Sequence, residues 1–264
     1  MPQPDTIPPD ASDDRFLGGR IVLRQPRRGY RAGLDAVLLA AGGAMVDAAG
    51  DTGSRRILDL GAGVGGAGLC LASRVAEAHV TLVEREAQLA ALARHNVSTN
   101  GFDDQVDVIE GDAESRWSAL AAAGLQRESY DNVICNPPFY ADASGTAPAA
   151  HLKAMAHQMA TSGLQLWIRT LATAAAAGGT LTLIHRTEAL ADVLGAIGDR
   201  FGAIGVLPIA PRCGKDAIRI LVRGVKGSRA PLRLASPLVL HDAEGRFCPE
   251  VDDILRNGAA LVWP

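Results

Sequence analysis

The chain has 264 residues, of which 48% are hydrophobic and 21% are charged, and its formal net charge is −3. This composition predicts a soluble globular protein, and no apolar run approaches the roughly 20 residues that a bilayer-spanning helix needs. The N terminus lacks the basic-then-apolar pattern of a secretory signal, so we expect a cytoplasmic protein. Four widely spaced cysteines fit no paired metal-ligand spacing, which predicts free, mostly buried thiols and no metal site: Cys70, Cys135, Cys213 and Cys248.

The first 50 residues predict a tail followed by a short extension. Residues 1–14 are rich in proline and aspartate, and we expect them to form a disordered tail. Residues 15–50 predict an N-terminal extension packed on the main domain, with a strand at Arg20–Gln25 and an Ala/Leu-rich helix at Leu34–Val46. Residues 51–264 then form a single domain.

From residue 57 onward, predicted strands and helices alternate. The strands are Ile57–Leu60, Val80–Glu84, Val106–Glu110, Val133–Cys135 and Leu181–His185. The helices are Gly66–Ala76, Ala87–Asn100, Glu114–Ala123, Leu164–Ala177 and Glu188–Ile197. Units of this length predict a parallel α/β sheet with helices on both faces. The next strands, Ala203–Pro208 and Ala217–Arg223, are too close in sequence for a crossover helix, so we expect them to be antiparallel. Leu238–His241 is a further possible strand.

A glycine-rich loop follows the first of these strands and opens a helix. Its glycines, Gly61, Gly63 and Gly65, let the backbone turn tightly and approach a ligand closely. Glu84 ends the next strand, at the spacing where an acid binds ribose hydroxyls, and Asp112 follows the third strand. Because ligands of open parallel sheets bind at the carboxyl ends of the strands, this pattern predicts a nucleoside-containing cofactor.

The segment Asn136-Pro137-Pro138-Phe139-Tyr140 stops the fourth strand of the alternating series. Neither proline can donate to a sheet ladder, so the strand end is rigid and extended. The Asn136 amide oxygen and the Pro137 carbonyl can accept the two hydrogens of a planar NH2 group, while an aromatic ring covers its face. A proline turn after a core strand is the alternative interpretation.

The type of cofactor follows from the neighbours of the loop. The spacing of Gly61, Gly63 and Gly66 also matches the dinucleotide fingerprint, so NAD is a competitor. Asp59 before the loop disfavours a pyrophosphate and favours a cationic amino acid. Together with Asn-Pro-Pro-Phe, the segment Arg56–Arg223 resembles the S-adenosylmethionine-dependent methyltransferases that methylate amines. The resemblance implies a class I fold, a Rossmann-like, mostly parallel seven-stranded sheet with an antiparallel last strand.

Segments at both ends of the chain resemble the bacterial tRNA1(Val) adenine-N6-methyltransferases. They are Phe16–Arg20, Gln25–Ala40, Lys226–Leu232 and Pro237–His241. This resemblance implies tRNA as the substrate and places Asp35 near the methionine group of the cofactor. Phe139 stands where many amine-methylating relatives have tyrosine, and both rings can stack on a base.

Two basic clusters complete the predicted site. The first comprises Arg15, Arg20, Arg24, Arg27, Arg28 and Arg31, and the second comprises Arg212, Lys215, Arg219, Arg223, Lys226, Arg229 and Arg233. They can hold a phosphate backbone, or they can be solvated strand faces with a few ion pairs. The predicted substrate-binding residues are Pro138, Tyr140, Arg27, Arg28, Arg31, Lys226 and Arg229.

The predicted reaction is an in-line transfer of a sulfonium methyl group to an exocyclic nitrogen. Asn136 and Pro137 orient the amine and Phe139 stacks on the flipped base, while His151 and His157 are expected to be surface or structural residues. The alternative acceptors are a glutamine amide of a protein or a guanine amine of ribosomal RNA. More distant alternatives are an NAD-dependent enzyme and a non-catalytic RNA-binding protein.

Overall fold

A computed structural model describes residues 10–29, 31–44, 55–138 and 163–263. The described chain begins with an antiparallel hairpin of β1 (Ala11–Phe16) and β2 (Ile21–Pro26). The predicted disordered tail therefore extends too far, because residues 11–14 belong to β1. Their aspartates suggested disorder, but they meet arginines instead: Asp13 lies 3.7 Å from Arg24, and Asp14 pairs with Arg31.

The remaining strands form one sheet. They are β3 (Arg55–Leu60), β4 (Ala78–Glu84), β5 (Val106–Glu110), β6 (Tyr130–Cys135), β7 (Ala175–Arg186), β8 (Phe201–Arg212), β9 (Arg219–Lys226), β10 (Arg233–Leu234) and β11 (Leu238–His241). Their spatial order is β10-β8-β9-β7-β6-β3-β4-β5, with β11 also pairing with β8. Strands β3 to β9 form the predicted seven-stranded sheet, in which β9 runs antiparallel to both neighbours. The fold class is confirmed, and two short strands extend it.

Helices cover both faces of this sheet. They are α1 (Leu34–Gly43), α2 (Gly66–Ala72), α3 (Ala87–Thr99), α4 (Trp117–Ala122), α5 (163–174), α6 (Leu190–Ile197) and α7 (Pro249–Arg256). Alternating strand residues face opposite layers: Ile57 packs in the core with α1, α2 and α3, and Leu58 packs in the core with α5 and α6. Among the described helices, none is long and apolar enough to cross a bilayer.

The last described residues hold α1 in place. The indole Nε1 of Trp263 donates to the carbonyl of Gly42 at 2.8 Å, and the N–H of Leu261 donates to the carbonyl of Ala41 at 3.0 Å. Gly42 itself lies so close to β9 that a Cβ there would be 2.2 Å from Leu221. These contacts fix the position of α1, whose first turn reaches the carboxyl edge of the sheet.

All four cysteines are free. Cys70 and Cys135 are buried as predicted, and burial raises the pKa of the Cys70 thiol to about 11 and the pKa of Cys135 well above its usual value. Cys213 is exposed and Cys248 is partly exposed, so the prediction of buried thiols holds for two of the four. Among the described residues, no three His, Cys, Asp or Glu side chains come together as a metal-binding group.

Candidate active site

The glycine loop leaves β3 in a conformation that side chains disfavour. Gly61, Gly63 and Gly65 have φ angles of 74°, 58° and 88°. A Cβ on Gly61 would lie 2.2 Å from the ring of Trp167 in α5. The N–H of Gly61 donates to the carbonyl of Val83 at 2.8 Å, so the loop is anchored to β4. The result is a tight, largely buried turn with three left-handed glycines, two of which, Gly61 and Gly63, line a cleft.

Glu84 organises this loop from the end of β4. One carboxylate oxygen accepts the N–H of Gly63 at 2.8 Å, and the other accepts the N–H of Glu86 at 2.9 Å. Asp112, just beyond β5, accepts the N–H of Glu114 at 2.9 Å. The two acids line one narrow cleft of about 180 Å³, which opens at Gly111 and Asp112 onto a wider recess. The sequence predicted this grouping, and the geometry brings it together.

Asp59 lies elsewhere. Its carboxylate is fully buried beneath the loop, where it accepts the N–H of Gly68 in α2 at 2.9 Å. Burial raises the pKa of Asp59 to about 7, although the Gly68 hydrogen bond opposes this shift and the nearby charge of Glu84 adds to it. This position does not fit the predicted contact with the cationic end of a cofactor. Asp59 instead supports the first turn of α2.

Asn136 lies beside the glycine loop because of the sheet register. Cys135 pairs with Leu60, which in turn pairs with Val83, so the residues that follow all leave the sheet along one edge. The Asn136 amide oxygen is buried, and it has no hydrogen-bond partner within the described residues. A buried acceptor without a donor is costly, and it marks a position where a ligand can supply the missing hydrogen.

Asn136 and Pro138 line two cavities at once. The first is the cleft with Gly61, Glu84 and Asp112, and Pro137 joins them in the second, a cavity of about 560 Å³, which is large enough for a nucleoside. The described residues that complete the second cavity are Gly29, Arg31, Ala32, Gly33, Leu34, Asp35, Ala36, Leu38, Ile209, Ile218, Arg219 and Leu240. The two cavities therefore meet at the Asn-Pro-Pro segment.

Asp35 lies in the second cavity, where its carboxylate accepts from Arg219 Nε at 2.9 Å. Asn136 lines both cavities, whereas Asp35 lines only the second one. The predicted contact with Asp35 therefore requires the methionine group of a cofactor to extend past Asn136 into the second cavity. Sequence analysis placed Arg219 in the second basic cluster but not among the substrate-binding residues, and it did not assign Trp167 to the site. Both come from distant segments, and only the antiparallel direction of β9 could have indicated that Arg219 reaches this edge.

The predicted basic residues occupy opposite ends of the molecule. Arg31 lines the second cavity and pairs with Asp14, and the exposed Arg27 lies 3.2 Å from Asp10. Lys226 instead ends β9 opposite Phe201, the first residue of β8, and donates to the carbonyl of Ala175 at 2.7 Å. Arg229 follows it, so Lys226 and Arg229 lie at the sheet edge away from Asn136. Phe139, Tyr140, His151 and His157 lie outside the described residues.

The described residues fit a nucleoside cofactor with an amino-acid tail. The glycine turn presents backbone without side chains, Glu84 places a carboxylate in the same cleft, and Asn136 lines this cleft and has a buried, unpartnered oxygen. A pyrophosphate fits poorly, because Glu84 already puts a negative charge against the N–H of Gly63.

Comparisons with known proteins agree with this geometry. The methyltransferase small domain family matches residues 41–182, more than half of the chain. A protein of Aeromonas hydrophila named tRNA1(Val) (adenine(37)-N6)-methyltransferase is 30% identical, covering 84% of this chain and 86% of the relative. A protein of the same name from Porphyromonas gingivalis is 31% identical, covering 90% and 91%. A crystal structure from Agrobacterium tumefaciens, described as a predicted O-methyltransferase, is 37% identical with a TM-score of 0.71, covering 86% and 98%.

Proposed function

Because the chain belongs to the tRNA1(Val) (adenine(37)-N6)-methyltransferases, within the methyltransferase small domain family, we propose that it methylates the N6 amine of an adenine in tRNA with S-adenosylmethionine. The names of the relatives give adenine 37 of tRNA1(Val) as their target, and we propose the same nucleotide here. We therefore place the protein in the cytoplasm.

The observation that carries this proposal is the buried, unpartnered amide oxygen of Asn136 at the junction of two cavities. One cavity suits the cofactor and the other is large enough for a nucleoside. An amine hydrogen of a bound adenine would satisfy the Asn136 oxygen, and the Pro137 carbonyl would accept the second hydrogen. A group with a single hydrogen could satisfy Asn136 or Pro137, whereas an NH2 group can satisfy both acceptors at once.

The same contacts explain how the chain promotes the reaction. S-adenosylmethionine supplies an electrophilic methyl group on a sulfonium sulfur. Accepting both amine hydrogens favours a pyramidal nitrogen, whose lone pair then points from the second cavity toward the glycine cleft. The acceleration comes from alignment and fixed dipoles. As the N–C bond forms the S–C bond breaks and leaves a neutral thioether, and the methylated nitrogen, now a strong acid, releases its extra proton to water without a side-chain general base. Phe139 is proposed to stack on the flipped base, a contact worth roughly 1–3 kcal/mol.

The Agrobacterium structure raises a second candidate function, methylation of a hydroxyl oxygen, because its identity to this chain is 37%. The side-chain chemistry favours nitrogen. A hydroxyl has one hydrogen and needs a base to remove it, whereas the cavity carboxylate of Asp35 is paired with Arg219. The two acceptor oxygens at Asn136 and Pro137 match the two hydrogens of an amine.

The test is methylation of tRNA transcripts in vitro, followed by nucleoside mass spectrometry. We expect N6-methyladenosine from tRNA1(Val), and none from a transcript in which adenine 37 is replaced by guanine. A methylated ribose hydroxyl would support the second candidate instead. Methylation of a protein glutamine or an rRNA guanine, with tRNA unmodified, would contradict the proposal.

A further inference from the structure

The second basic cluster is divided between the two ends of the sheet. Arg219 at the start of β9 pairs with Arg186, the last residue of β7, whereas Lys226 at the end of β9 pairs with Phe201, the first residue of β8. Seven residue steps of about 3.3 Å separate Arg219 from Lys226, or about 23 Å. Only the Arg212–Arg219 part of the cluster lies at the carboxyl edge of the sheet, with the cavities.

The turn between β8 and β9 carries two exposed cations at this edge. Arg212 ends β8, and the N–H of Lys215 donates to its carbonyl at 3.2 Å. Neither side chain forms an ion pair with any residue in the described part of the chain. The turn begins at the cavity wall, because Ile209 and Arg219 pair directly and both line the second cavity. Arg212 is three residues beyond Ile209 along β8, so about 10 Å separates the two backbone positions.

Further cations lie across the same cavity. Arg31 lines it with its charge paired to Asp14, and Arg28 is exposed next to Gly29, which also lines it. A nucleotide whose base enters the cavity leaves its two flanking phosphates outside, and phosphate contacts supply most of the position-fixing energy in nucleic-acid binding. Cations on two sides of the opening are therefore placed to hold the backbone on either side of one flipped nucleotide.

We infer that Arg212 and Lys215, in the turn between β8 and β9, bind backbone phosphates of the RNA next to the target nucleotide, and that Arg229 and Arg233 do not. The inference rests on the proposed function, because it takes the second cavity as the site of the flipped base. Arg229 and Arg233 are exposed as well, but Arg229 lies beside Gly202 at the start of β8. Ten residue steps along β8 put that position about 33 Å from Arg212.

The test compares two matched double variants of the full chain, Arg212→Glu/Lys215→Glu and Arg229→Glu/Arg233→Glu. Both change the net charge equally at exposed positions. We measure the Kd for a tRNA1(Val) transcript between 50 and 200 mM salt, together with the melting temperature with and without S-adenosylmethionine. We expect Arg212→Glu/Lys215→Glu to lose at least about 10-fold in affinity, and the slope of log Kd against log salt concentration to be lower by about 2. The Kd of Arg229→Glu/Arg233→Glu should stay within about 2-fold of wild type.

Equal losses in both double variants, or a loss only in Arg229→Glu/Arg233→Glu, would overturn the inference. The Arg212→Ala/Lys215→Ala variant is a second measurement that introduces no new charge, and an unchanged Kd and salt slope there would also overturn it. Failure of the proposed function looks different: wild-type protein would bind the transcript with the expected dependence on Arg212 and Lys215 but produce no N6-methyladenosine.

Discussion

Leu60 of β3 and Cys135 of β6 are direct partners in the parallel ladder, so Gly61 and Asn136 leave the sheet side by side. The pairing of Leu60 with Cys135 thus sets the distance between the glycine turn and the side-chain amide of Asn136, which is proposed to orient the amine. Both residues line the same cleft. Transfer of a methyl group between a cofactor on Gly61 and an amine on Asn136 therefore needs no domain movement.

Asn136→Ala removes the buried acceptor but leaves the glycine cleft intact. We expect kcat for tRNA methylation to fall by at least about 100-fold, because the amine loses its orienting hydrogen bond. The Kd for S-adenosylmethionine, measured by calorimetry, should change by less than about 3-fold. Parallel losses of activity and cofactor affinity would show that Asn136 only supports the fold.

Glu84→Ala removes the carboxylate that holds the backbone N–H groups of Gly63 and Glu86. We expect the Kd for S-adenosylmethionine to rise by about 10–100-fold, because hydrogen bonds to a charged group contribute about 1.5–3 kcal/mol. The matched control is Glu77→Ala, at an exposed glutamate immediately before β4, far from the end that carries Glu84. Unchanged cofactor affinity in Glu84→Ala would remove Glu84 from the proposed cofactor site.

Gly61→Ala introduces a methyl group at φ 74° and 2.2 Å from the Trp167 ring. We expect a loss of about 3 kcal/mol in the free energy of unfolding, from overpacking together with backbone strain. Gly101→Ala is the control, since φ is 72° there but no atom lies within 4 Å of the added Cβ; it should cost only about 1 kcal/mol. In a Trp167→Ala background, the Gly61→Ala cost should fall toward that of the control in urea denaturation.

Asp59→Asn tests the buried carboxyl group beneath the loop. Burial raises the pKa of Asp59 from 3.8 to about 7, so the folded protein keeps a proton that the unfolded chain loses above pH 4. The contribution of Asp59 to the free energy of unfolding should therefore fall as pH rises from about 4 to about 7, and then level off. The variant lacks this contribution, so its stability relative to wild type should rise across the same window by up to about 4 kcal/mol. Urea denaturation of both proteins at pH 4.5 and 7.5 measures this difference in the free energy of unfolding. A difference that does not change with pH would contradict the prediction.

Local patterns were enough to predict that the glycine turn, Glu84, Asp112 and Asn136 lie close together, because each lies at the carboxyl end of a strand in one parallel series. Asp59 was assigned to the cofactor although strand alternation already indicated otherwise: Ile57 faces α2, and Asp59, two residues on, faces the same way. Lys226 was grouped with Arg219 because the two are close in sequence, but an antiparallel strand carries them to opposite ends. Trp167 could not have been predicted, since α5 meets Gly61 only in the tertiary structure.

The hydrogen bond from Trp263 to the Gly42 carbonyl has a consequence for the order of assembly during translation. Helix α1 precedes β3 to β11 in the chain, but its anchor Trp263 follows all of these strands and is synthesised after them. The wall of the second cavity that contains Asp35 therefore becomes fixed late, when the sheet can already be formed. We expect ribosome-bound chains that have not yet released Trp263 to show sheet protection but an α1 open to limited proteolysis, and early protection of α1 would refute this order.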